Sequence, residues 1–104
     1  MKYLITESQI DRVIFKYLDN QDFIQVEYHE IVCFINSEGD EYAQIKFYKN
    51  SRWCSIETKL MIEIASFFSI PKMDALSSIS AWAHNKLGVH PRSVDAYHNI
   101  PVYF

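Results

Sequence analysis

Between Phe23 and Ile56 the apolar residues recur at every second position, while on either side of that stretch they recur every third or fourth. A period of two belongs to half-buried strands and the longer period to amphipathic helices, so the chain has to fold as helix, strands, helices. Turn-forming clusters divide the central stretch into four runs: Phe23 to Tyr28, Ile31 to Asn36, Tyr42 to Tyr48 and Arg52 to Ile56. Connections this short join only antiparallel neighbours, because a parallel return needs a crossover of about a dozen residues or more. A four-stranded antiparallel meander is therefore expected.

The registers of the three hairpins test one another. A two-residue turn at His29-Glu30 pairs Tyr28 with Ile31, Val26 with Cys33 and Ile24 with Ile35, all on one apolar face. A three-residue loop at Glu38-Gly39-Asp40, with Gly39 supplying a positive φ, sets Ala43 opposite Ile35, Ile45 opposite Cys33 and Phe47 opposite Ile31. A connection from Lys49 to Arg52 then places Phe47 against Cys54 and Ile45 against Ile56. All of these residues share a face in that scheme, and a slip of one residue in the middle hairpin would break the agreement.

Three helices flank the strands. Thr6 and Gln9 form a capping box, Ile5 can staple onto Ile10, and Ile10, Val13, Ile14, Tyr17 and Leu18 make one apolar stripe up to the Asp19 to Asp22 turn. Leu60, Met61, Ile64, Ala65, Phe67 and Phe68 predict a second helix that ends near Ser69, ahead of Pro71. A third begins at Lys72, carries Leu76, Ile79, Ala83 and Leu87 on one stripe, and meets Gly88 where a left-handed cap is expected. From Val89 to Phe104, with Pro91 and Pro101, the chain reads as an irregular tail whose apolar last residues are docked rather than free in water. The expectation is an α+β fold over 1–104 as one domain, with the two C-terminal helices on one sheet face. A composition 49% hydrophobic, with Gly 2 and Pro 3, suits such an ordered fold.

Charge and motif spacing narrow the function classes. A net charge of −3 repels phosphate overall. No apolar run nears the roughly 20 residues of a membrane span, and the first residues turn polar too early for a signal-peptide core, so a cytoplasmic protein is expected. Cys33 and Cys54 read as buried apolar residues on strands about 10 Å apart, too far for a disulfide, and burial leaves the Cys54 thiol inert. His29, His84, His90 and His98 lack metal-ligand spacing. Glu38, Asp40 and Glu41 lack the ligand pattern of an EF-hand and read as an acidic turn. No nucleophile motif is present, so neither catalytic residues nor a cofactor are expected.

The same registers put Val32, Phe34, Tyr48 and Trp53 on the reverse face with Gln25, Glu27, Gln44, Lys46 and Ser55. An aromatic patch rimmed by polar groups suits a protein partner or a second copy of the chain. The competing reading is that the tail or a helix covers it. Lys46, Tyr48, Arg52 and Trp53 also interleave cations with rings, the chemistry that stacks bases and neutralises phosphates, which makes a nucleic-acid-associated protein the alternative.

The opening Met1 to Asp19, in particular Leu4-Ile5-Thr6-Glu7-Ser8-Gln9 running into an amphipathic helix, resembles the start of small proteins of unassigned role encoded by tailed bacteriophages. That resemblance covers less than a fifth of the chain and carries no site residues. It implies a context, an accessory factor in the host cytoplasm or a minor virion component.

Overall fold

The computed structural model describes residues 7–103. Among these, three helices and seven strands follow in the order α1 (Glu7–Asp19), β1 (Ile24–Tyr28), β2 (Ile31–Ile35), β3 (Tyr42–Ala43), β4 (Ile45–Tyr48), β5 (Trp53–Glu57), α2 (Thr58–Phe67), α3 (Lys72–Leu87), β6 (Ser93–Tyr97) and β7 (Ile100–Pro101). The result is an α+β fold around a five-stranded sheet in the order β1-β2-β4-β5-β6, with β3 and β7 paired beside it. The capping box and staple fall on Ile5 and Thr6, outside the described residues.

All three helices lie on one face. Ile14 and Leu18 of α1, Leu60, Met61, Ile64 and Ala65 of α2, and Ala75, Leu76, Ile79, Trp82 and Ala83 of α3 pack on Val32, Phe34, Ile45, Phe47, Cys54 and Ile56. Buried apolar groups of this size each contribute about 1.5–3 kcal/mol, which makes this layer the main source of stability. Two side-chain bonds fix α1 across α3: Ser78 Oγ donates to Asp11 at 2.6 Å and Trp82 Nε1 to Asp19 at 2.9 Å. Lys86 adds an ion pair to Asp19 at 2.9 Å, and these two contacts hold that carboxyl below its usual range. Gly88 closes α3 at φ 72°, the left-handed geometry its position predicts.

Two of the three registers are as the turns predict. His29 and Glu30 both have positive φ, 46° and 63°, the pair of left-handed residues that a two-residue hairpin turn of matching twist requires. Ile24 faces Ile35 and Tyr28 faces Ile31. Ile45 faces Ile56 and Phe47 faces Cys54 across the later hairpin.

The middle register differs by one residue: Phe34 pairs with Ile45 and Val32 with Phe47, while Cys33 pairs with Lys46. Ala43 and Ile45 would share a face in an unbroken strand, yet Ala43 joins the cluster away from the helices and Ile45 the one beneath them. The break is at Gln44, which leaves the strand and bonds to Phe34 O through its own N–H at 2.8 Å. This is a correction with a physical cause. Ile31 to Ile35 is apolar without interruption and β2 is buried on both sides, so alternation does not say which set meets the helices. Packing decides it, because Phe34 lies 5.0 Å from the Trp82 ring, beneath α3. Cys33 and Cys54 are consequently on opposite faces, both buried and both free.

The tail is a second correction. Residues 93–97 are not irregular: they form β6, parallel to β5, with Cys54 beside Val94 and Ile56 beside Ala96. Helices α2 and α3 together are the crossover such a parallel pair demands. After β6 the chain turns back across the outer face, where β7 pairs with β3 and Val102 N–H donates to Glu41 O at 2.9 Å. No helix of the described residues is long and apolar enough to cross a membrane.

Candidate functional site

The outer face of the sheet, away from the helices, has two halves. On β1 and β2 it carries Val26, Tyr28, Ile31, Cys33 and Ile35, and the tail residues Ile100 and Val102 close over them together with Ala43. On β4, β5 and β6 it carries Lys46, Tyr48, Trp53, Ser55, Asp95 and Tyr97, and this half is only partly covered. Between the two runs a cavity of about 190 Å³, walled on the sheet side by Tyr48, Trp53, Ser55 and Tyr97 and on the other by residues 98–101.

Of the residues expected to form an interaction face, the structure brings two together and removes two. Tyr48 and Trp53 are direct cross-strand neighbours, as the later hairpin requires, with ring centroids 4.9 Å apart and planes 13° from parallel. Val32 and Phe34 are instead 0% and 3% exposed in the helix-side core, because the shifted register turns them under α3. Their place at the site is taken by Tyr97, which is 52% exposed and meets Trp53 edge-on at 6.0 Å. The alternating run Ser93-Val94-Asp95-Ala96-Tyr97 carried the signal for this ring, but the neighbouring prolines hid it.

A carboxylate fixes the site from below. Asp95 accepts from Trp53 Nε1 at 2.7 Å through one oxygen and from Ser55 Oγ at 2.8 Å through the other. Both donors are neutral, and among the described residues no cation pairs with Asp95. With Ser55 fixing the carboxylate, that bond holds the Trp53 indole in one orientation. Burial, with Cys33 and Asp95 as neighbours, pushes the Tyr48 hydroxyl above its ordinary range. Glu57, buried at the end of β5, accepts from Asn99 N–H at 3.0 Å and lies 3.8 Å from His98 Nδ1, which ties the turn between β6 and β7 to the sheet.

The cation and ring set is rearranged as well. Lys46 is 1% exposed, and its ammonium donates to Pro101 O at 2.6 Å while lying 5.3 Å from the Tyr48 ring centre. Burial draws its pKa down, and its geometry makes it a brace for the tail instead of a phosphate ligand. Arg52 remains exposed at the start of β5, with a φ of 56°. Arg92, which the sequence reading did not include, is brought beside it, since Arg92 N–H donates to Arg52 O at 2.7 Å.

The remaining chemistry is sparse. Among the described residues no group of three or more His, Cys, Asp or Glu side chains could hold a metal ion. The His84 and His90 rings stack at 4.8 Å. Asp40 spends its carboxylate on its own turn, accepting from Ser37 N–H at 2.9 Å. Burial pushes the Cys54 thiol up to about 12 and the Cys33 thiol up as well, so neither is a ready nucleophile. No family model, curated protein or solved structure matches the chain.

Proposed function

We propose that this chain is a non-enzymatic binding module, a small phage-type accessory protein of the host cytoplasm that engages a protein partner through the open half of its outer sheet face. One observation carries the reading: the Tyr48, Trp53 and Tyr97 rings stay accessible beside a cavity, with the central Trp53 fixed by Asp95, while the tail covers much of the other half of that face. Tyr and Trp anchors in a preformed hollow are what protein interfaces concentrate their binding energy on. Acidic groups at Asp95 and Glu57 and an overall charge of −3 favour a protein over a polyanion.

The alternative, a nucleic-acid-associated protein, loses Lys46 to the tail but gains Arg92 beside Arg52, at the same end of the sheet as Tyr48 and Trp53. One experiment separates the two. A photo-crosslinking residue placed at position 98, on the exposed wall of the cavity, in the native host should capture one protein that the same residue at position 62, on the helical side, does not. Identical capture from both positions overturns the partner reading. Single-stranded DNA or RNA that binds at low salt, and loses affinity steeply as salt rises, transfers the site to nucleic acid.

A further inference from the structure

Among the described residues, β1 is an edge strand, with β2 as its sheet neighbour on one side only. Strand β1 packs chiefly on β2, and its outer side carries neither proline nor bulge, two devices by which natural edge strands avoid pairing with other chains. Ile24 on this edge is 38% exposed.

The hairpin geometry determines which backbone groups face outward. Residues flanking a two-residue turn exchange both backbone bonds, and bonded and non-bonded pairs alternate from there. With Tyr28 paired to Ile31, the residues bonded to β2 are Tyr28, Val26 and Ile24. The N–H and C=O groups of Gln25 and Glu27 therefore point away from the sheet. Phe34 O, opposite Gln25, accordingly bonds on its far side, to Gln44 N–H.

We propose that this edge pairs with the same edge of a second copy, antiparallel about a two-fold axis at Val26, to give one continuous ten-stranded sheet. A two-fold contact presents the same surface twice, so the strand has to complement itself. Centred on Val26, Gln25 of each copy faces Glu27 of the other, and all four outward N–H and all four outward C=O groups are bonded or aligned for bonding within the pair. An axis at Glu27 would set two carboxylates face to face, and an axis at Gln25 would leave the Glu27 backbone without its counterpart. In the favoured register the two Val26 side chains meet in the close, non-bonded position, and Ile24 packs against Tyr28 of the second copy. These apolar groups extend the layer already sealed beneath Ile100 and Val102. Lys49, ion-paired with Glu27, keeps that carboxylate oriented beside the incoming Gln25 amide.

The pairing lies on the strand furthest from β6, so it leaves Tyr97 and Trp53 open and does not depend on what binds there. Sedimentation equilibrium of the full chain from micromolar to millimolar concentration tests it. The wild type should dimerise. Gln25→Glu should weaken the dimer and Gln25→Lys strengthen it, each by roughly two- to thirtyfold, because the pair occurs twice in the interface. Gln25→Pro removes an outward N–H without touching a bond to β2 and should give a monomer with an unchanged circular dichroism spectrum. Tyr97→Ser should leave the dimer intact. A chain that stays monomeric over the whole range overturns the proposal, as does a dimer that Tyr97→Ser dissolves or one that both charge substitutions shift in the same direction.

Discussion

The two halves of the outer sheet face are built from the same alternation and end in opposite states. On β1 and β2 every outward position is apolar, and the returning tail lays Ile100 and Val102 over them. On β4 to β6 the outward positions alternate rings with Lys46, Ser55 and Asp95, and the tail passes beside them, leaving a cavity. The polar groups on that side are used internally: Lys46 holds the tail at Pro101, and Asp95 holds Trp53 and Ser55. One half of the face therefore serves stability, and the other presents a rigid aromatic surface.

The sharpest way to break that contrast is to loosen the tail. Ile100→Ala removes most of a side chain that is 5% exposed and should destabilise the fold by about 2–4 kcal/mol in urea titrations. Cys33, whose Sγ lies 3.7 Å from Val102 O, should then react with a thiol reagent faster than Cys54, which sits beneath the helices. Equal reactivity of the two would show that the tail does not seal the first half.

Asp95→Ala strips the acceptor from both the Trp53 N–H and the Ser55 O–H and should cost about 1–3 kcal/mol. Because Trp53 is then released, its fluorescence anisotropy should fall in a Trp82→Phe background, where it is the remaining tryptophan of two. An unchanged anisotropy would mean that stacking on Tyr48 alone fixes the ring.

Alkaline pH addresses both faces of the sheet through their thiols. Burial raises the Cys33 and Cys54 pKa values, the latter to about 12, whereas an unfolded thiol ionises near 8.5. The native state therefore keeps protons that the unfolded chain gives up. Their contribution to stability is intact below about pH 8.5 and is lost progressively as pH rises toward 12. Lys46, whose pKa burial lowers, acts in the opposite sense, because there the unfolded chain binds more protons. Comparing wild type with Cys54→Ala isolates the thiol part: the variant should lose less stability between pH 8.5 and 11, and equal slopes would contradict the assignment.

Tyr97→Ser should have the smallest effect on folding. Its ring is 52% exposed, so stability should change by no more than about 0.5 kcal/mol while partner capture at the cavity fails. A large loss of stability would place Tyr97 with the structural half instead.

Much of this architecture was legible in the chain. The three helices, the cap at Gly88 and the two hairpins around His29-Glu30 and Lys49 to Arg52 follow from local spacing and turn chemistry. The neighbouring Tyr48 and Trp53 rings follow from the second of those hairpins. The partners of those rings were not legible: Phe34 and Val32 were expected beside them, and Tyr97 and Asp95 are what the structure supplies.

The sequence by itself determined the three helices, the strand-forming stretch between the first two and the registers of the hairpins at His29-Glu30 and Lys49 to Arg52, because those depend on a residue and its neighbours along the chain. Only the tertiary structure decided which side of an apolar strand faces the helices, and that the last residues form a parallel strand and then a cover. Ile31 to Ile35 offers two equally apolar faces, so the choice falls to Trp82 and the break at Gln44. Residues 93–97 have no local partner at all, and they become a strand because α2 and α3 return the chain to the open edge of β5.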